Sequence, residues 1–212
     1  MRTHNPELKI INLACIRDDR NLFSKINYHL FPTQLLLVEG TNGSGKSSFL
    51  RLIAGILTPT AGTILWQTLS IEKNRFLYFR DFHYQGHLPG IKLGLTVAEN
   101  LSLTKHLLLT NQNPLHDSML YELGLVNCLN QMAHTLSAGQ KKRLSLAKLF
   151  LFPKKLWILD EPFNSLDKEM QAIFLFKLEN HLKDGGIAII SAHPPFSCMH
   201  LVSHHLYLGL SC

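Results

Sequence analysis

Gly40-Thr41-Asn42-Gly43-Ser44-Gly45-Lys46-Ser47 satisfies every fixed position of the phosphate-loop pattern G-x-x-x-x-G-K-[ST]. The apolar run Leu35-Leu36-Leu37-Val38 precedes it and reads as a strand. Ser48 to Ala54 follows, with Phe49, Leu50, Leu52 and Ile53 spaced as the buried face of a helix. Strand, glycine-rich loop and helix together make an anion site. The glycines let successive backbone N–H groups turn inward without a Cβ in the way, and the helix N-terminus adds partial positive charge at the same point. Gly40 through Ser48 are therefore the candidate nucleotide-binding residues. Lys46 reaches for the β- and γ-phosphates of a nucleoside triphosphate such as ATP, and the Ser47 hydroxyl for Mg²⁺.

A phosphate loop does not by itself separate kinases, GTPases, transporters and repair ATPases, so the rest of the chain has to decide. At 212 residues it suits one α/β domain with an appended subdomain. Lys and Arg number 21 against 15 Asp and Glu, a formal charge of +6. The basic residues are dispersed apart from Lys141-Lys142-Arg143 and Lys154-Lys155, and none alternate with aromatics as in a single-strand binder, so no nucleic-acid partner is expected. The N-terminal residues lack a signal-peptide pattern and no segment has the apolar length of a membrane span. The expectation is a soluble, cytoplasmic chain. Cys15, Cys128, Cys198 and Cys212 lack CxxC spacing and read as reduced thiols. His193, His200, His204 and His205 crowd the C-terminal end beside Cys198 and Cys212. A metal or haem site there competes with a strand over Ser203 to Leu210 that would place several of these side chains by packing.

Lys9 to Cys15, Asn27 to His29, Thr63 to Trp66 and Phe76 to Tyr84 read as strands, as do the buried runs Leu156 to Leu159 and Ile187 to Ile190. Leu95 to Leu109, Asp117 to Leu125, Lys141 to Phe152 and Lys168 to Leu182 read as helices. Thr96 with Glu99 forms a capping box for the first of them. The helical stretch from about Lys92 to Thr135 interrupts the alternation and looks like an inserted subdomain.

Leu156-Trp157-Ile158-Leu159-Asp160-Glu161-Pro162 is an apolar strand ending in two adjacent carboxylates. Asp160, at the strand's C-terminal end, can hold Mg²⁺ directly or through water. Glu161 can orient a water aimed at the γ-phosphate and take its proton. Shortly before this strand, Leu136-Ser137-Ala138-Gly139-Gln140 opens a basic amphipathic helix. A serine hydroxyl and the Gly139 N–H at a helix start can grip a phosphate, although the same turn alone is an ordinary N-cap.

In this order the three motifs resemble those of the ATP-binding cassette (ABC) ATPases, with Leu136 to Gln140 similar to the LSGGQ signature and Ala138 in place of a glycine. The resemblance covers nearly the whole chain. It implies a P-loop NTPase core of α/β class with an antiparallel β subdomain and an inserted helical subdomain, as one domain over 1–212. The core would span about 1–90 and 141–212, and the helical part about 91–140. It implies that Ser165-Leu166-Asp167 is the D-loop and that His193 is the switch histidine on the γ-phosphate. Ser137, Gly139 and Gln140 would serve the nucleotide held by a second copy, so a homodimer is implied. The Q-loop position falls on His87, with Gln85 as the alternative, and the adenine-stacking aromatic is replaced by Arg17. A guanidinium plane can also lie on a base.

Arg17 to Phe23, Gly86-His87-Leu88-Pro89-Gly90-Ile91-Lys92 and Leu156 to Phe163 are similar to segments of the ATPase subunits of bacterial cytochrome c maturation. That branch implies a subunit peripheral to the cytoplasmic face of the inner membrane, bound to an integral subunit of CcmB type and working with CcmC in haem handling. The alternatives are an ABC ATPase driving another transporter and a soluble nucleic-acid-associated ABC ATPase.

Overall fold

The computed structural model describes residues 6–108, 118–164, 166–193 and 199–209. Ser165, Cys198, Cys212 and the ends of the readings at Leu109, Asp117 and Leu210 lie outside the described residues. The chain forms two compact units. One comprises Met1–Tyr84, Lys154–Pro162 and Leu178–Cys212, the other Gln85–Pro153 and Phe163–Lys177.

The first unit holds two sheets. β1 (Leu8–Arg17), β2 (Arg20–Leu30), β4 (Ala61–Trp66) and β5 (Leu69–Ser70) pair antiparallel in the order β2-β1-β4-β5. The β1–β2 hairpin turns at Asp18 and Asp19, both at positive φ (48° and 58°), as a two-residue turn between twisted strands requires. β3 (Leu35–Gly40), β6 (Phe82–Gln85), β7 (Leu156–Asp160), β8 (Ile187–Ser191) and β9 (His204–Leu208) form the second sheet in the order β6-β7-β8-β3-β9. β3, β8 and β7 run parallel and are almost wholly buried, which explains their unbroken apolar sequences.

α1 (Lys46–Ile53) buries Phe49, Leu52 and Ile53 in one core with Leu8 and Ile10 of β1, Ile26 of β2, Ile158 of β7 and Ile189 of β8. Because this core joins both sheets, the hairpin and the phosphate loop are fixed against each other. The register then sets the site. Val38 pairs with Ser191, and Ser191 with Asp160, so three strands deliver their C-terminal ends side by side.

The strand expected over Phe76 to Tyr84 is corrected by the structure. Arg75–Asp81 is α2, and only Phe82 onward belongs to β6. A short aromatic run satisfies either periodicity. Here burial is concentrated on Tyr78, whose hydroxyl donates to the Ile53 carbonyl at 2.7 Å, while Phe76 and Leu77 stay exposed. The histidines of β9 have packing partners: His204 meets Tyr28 edge-on and His205 lies 3.2 Å from Glu39.

In the second unit, α3 (Val97–Leu107) starts with the expected capping box of Thr96 and Glu99. α4 is short, Met119–Glu122, and ends before Gly124 at φ 63°. α5 (Ala138–Leu151) packs on α3 and α4, so this unit takes in more than the insertion read at 91–140. It also takes α6 (Lys168–Lys183) as far as Lys177, with Phe174 set against Phe150 and Phe163. Buried Asn100 ties the segment ahead of α3. It accepts from the Lys92 N–H at 2.7 Å and donates to the carbonyls of Lys92 and Thr96 at 2.9 Å each.

Candidate functional site: a phosphate loop and two strand-end carboxylates

β3 runs directly into the glycine-rich loop. Gly40 takes φ 151°, and a Cβ there would collide with the Leu208 carbonyl and come within 2.6 Å of Ser44 Oγ. Gly45, at φ 103°, caps α1 against Leu22 and Phe23 of the hairpin, where a Cβ would approach Leu22 to 3.2 Å. The end of the hairpin that carries Arg17 is thereby packed on the phosphate loop. Arg17 itself is exposed. Lys46 is buried, and its ammonium donates to the carbonyls of Gly40 (2.8 Å) and Thr41 (3.2 Å). Ser44 Oγ is buried with no hydrogen-bond partner among the described residues.

Two strands away, Asp160 is 1% exposed at the end of β7. Ser191 Oγ donates to Asp160 Oδ1 at 2.6 Å and accepts from the Glu161 N–H at 2.9 Å. Glu161 adopts φ 50°, a left-handed conformation uncommon for a residue with a side chain. Its Oε1 lies 2.9 Å from His193 Nε2. The phosphate loop, Asp160, Glu161 and His193 therefore share one unit.

The donors fit the ligands the sequence implies. Ser47 and Asp160 offer hard oxygen atoms of the kind Mg²⁺ prefers. The unpartnered Ser44 hydroxyl and the open surroundings of Gly43, at φ 77°, suit an anion lying on backbone N–H groups. Ser47, Lys46, Asp160, Glu161, His193 and Arg17 are thus collected in the first unit. His87, Ser137, Gly139 and Gln140 are carried on the second. His87 is exposed, whereas Gln85 is buried with both side-chain amide atoms unpartnered among the described residues.

Ser137 caps α5. Its Oγ accepts from the Gln140 N–H (3.1 Å), and the Gln140 side chain accepts from the Ser137 N–H (2.9 Å). These residues line a concavity of about 470 Å³ with Gly139, Arg143, Leu166, Asp167 and Met170. A Cβ on Gly139 would meet only Ser137 Oγ, at 3.9 Å, so packing leaves that face open. Arg143 binds Asp167 at 2.9 Å. Asp167 also accepts from the Met170 N–H at the start of α6; that bond, then the guanidinium, hold its carboxyl below the usual range.

The ABC transporter family profile matches residues 23–164. CcmA of Methylococcus capsulatus, a "Cytochrome c biogenesis ATP-binding export protein", is 44% identical over 85% of this chain and 88% of its own length. The chain belongs to the CcmA family of ABC transporter ATP-binding proteins. CcmA of Vibrio cholerae is 39% identical over 88% of this chain and 90% of its own length, and that of Yersinia pestis 36% over 94% and 90%. The fold is that of a solved "ATP binding subunit of ABC transporter", with a TM-score of 0.87, 22% identity and coverage of 95% and 85%. The CcmA-family chain is accordingly an ATP-binding ATPase subunit of ABC transporter type, as its three motifs imply. Among the described residues no helix is long and apolar enough to cross a membrane.

Sequence reasoning left out two residues. Ser191 is the one polar side chain of β8, a signal available in Ile187-Ala188-Ile189-Ile190-Ser191. Arg143 was hidden in a basic cluster that composition alone assigns to a solvated face.

Proposed function

We propose that this chain is the ATP-hydrolysing subunit of a membrane complex serving cytochrome c biogenesis, peripheral to the cytoplasmic face of the inner membrane and bound to an integral subunit of CcmB type, with CcmC as a further partner. The observation that carries the enzymatic part is Glu161, left-handed at the end of β7 and within hydrogen-bonding distance of His193. The curated relatives named for cytochrome c biogenesis support the pathway.

The backbone N–H groups of Gly43 to Ser47 and the Lys46 ammonium hold the β- and γ-phosphates of ATP. Ser47 and Asp160 hold Mg²⁺, which when bound neutralises charge developing on the phosphoryl oxygens. His87, or Gln85 in its place, would add a further donor to that ion. Arg17 lies on the adenine. Glu161 accepts the proton of the attacking water, and His193 holds the Glu161 carboxylate in place and faces the γ-phosphate. Ser137, Gly139 and Gln140 act on the nucleotide of a second copy, in a homodimer that closes on ATP and opens after hydrolysis. The open face of Gly139 supports that arrangement.

Affinity purification of the tagged chain from solubilised membranes tests the pathway. An integral subunit of CcmB type should co-purify in stoichiometric amount; recovery of a different permease would redirect the complex to another transport task.

A further inference from the structure

Ser191 ends β8 as its one polar residue and is fully buried. A buried hydroxyl is tolerated only where its bonds are made, and this one makes two. A serine hydroxyl has one proton to give. The Glu161 N–H can only donate to it, so that proton goes to Asp160 Oδ1, 2.6 Å away, and the chain of bonds has a single direction from Glu161 through Ser191 to Asp160. The Glu161 N–H also points at the Ser191 carbonyl, at 3.2 Å. One residue therefore grips the backbone of Glu161 from both its main chain and its side chain, at the peptide that carries the unfavourable φ of 50°.

We propose that Ser191 is a positioning residue for ATP hydrolysis, aligning both strand-end carboxylates through one hydroxyl. It holds Asp160 Oδ1 and, through the backbone N–H, fixes the turn that aims the Glu161 carboxylate at His193. The inference rests on Glu161 acting as the base. Ser191 touches neither nucleotide nor water in this scheme. Its removal lowers turnover and leaves nucleotide binding intact, because the phosphate loop is held separately by Lys46 and the hairpin.

The test compares S191A, S191C and S191T with wild type on the subunit co-purified from membranes, measuring kcat and KM for ATP, trinitrophenyl-ATP affinity by fluorescence, and Tm. S191C is nearly isosteric and donates only weakly, so it carries the test should S191A fold poorly. Expected are kcat values about 10- to 100-fold lower for S191A and S191C, as is usual when a supporting hydrogen bond is lost. Affinity and KM should stay within about twofold, and S191T should recover most of the rate. A kcat near wild type for S191C, a loss seen in KM alone, or an S191T as slow as S191C each overturns the proposal. Glu161→Gln, run in parallel, separates the two readings. Full turnover in that variant removes Glu161 as base, whereas its loss beside a fully active S191C removes only Ser191.

Discussion

His193 Nε2 lies 2.9 Å from Glu161 Oε1, with the glutamate largely buried and the histidine about half exposed. A general base held by a neighbour loses rotamer freedom before the water arrives, and a misplacement of about 1 Å can cost on the order of 100-fold in rate. His193→Ala should therefore reduce kcat by about that factor with ATP affinity nearly unchanged. Comparing steady-state phosphate release with equilibrium nucleotide binding checks it. A kcat near wild type would remove His193 from the alignment of Glu161.

Lys46 and Arg17 should fail in the opposite way, through affinity. Lys46 is buried, and its ammonium lies on the glycine-rich loop against the carbonyls of Gly40 and Thr41. Charge-assisted hydrogen bonds of this type contribute about 1.5–3 kcal/mol, so Lys46→Ala should weaken ATP binding roughly 10- to 100-fold. Arg17 is exposed on the hairpin, where stacking is worth about 0.5–1 kcal/mol; Arg17→Ala should cost about two- to fivefold. Calorimetric titration with a non-hydrolysable analogue reads both, and unchanged affinity in Arg17→Ala would remove it from the adenine.

Gln85 and His87 make a contrast that one experiment resolves. If His87 is a donor to the ion, His87→Ala lowers hydrolysis about tenfold and raises the Mg²⁺ needed for half-maximal rate. Gln85→Ala should do less. The reverse order would give the Q-loop role to Gln85.

His181 predicts an acid-sensitive fold. Its ring stacks on Trp157 at 4.1 Å between centroids, and burial lowers its pKa from 6.5 to about 4. The unfolded chain thus binds a proton the folded one refuses, so stability falls as pH drops from about 6.5 toward 4 and levels off below. The contribution is on the order of 3 kcal/mol. Denaturant unfolding of wild type and His181→Gln between pH 7 and 4.5 checks it, and the variant should lose much of the pH slope.

The phosphate loop, the strand-end carboxylates and the signature turn were legible in the sequence because each is a local arrangement: a fixed spacing beside an apolar run. The misread segment, Phe76 to Tyr84, failed for the same reason. Its aromatics suit a strand locally, and what favours the helix is distant: as part of α2, Tyr78 is buried and reaches the Ile53 carbonyl. Ser191 escaped notice because its bonds to Asp160 and Glu161 depend on the register of β8 against β7, a long-range pairing that no spacing within either segment encodes. Arg143 likewise acquires meaning only through Asp167, 24 residues on.

The most direct test is hydrolysis by Glu161→Gln, measured as phosphate release alongside ATP binding and association state. Removing the base should lower turnover by about 10²- to 10⁴-fold while ATP still binds and the ATP-bound chain collects as a closed dimer. Turnover equal to wild type, with binding intact, would contradict the assignment of Glu161 and with it the proposed hydrolytic mechanism.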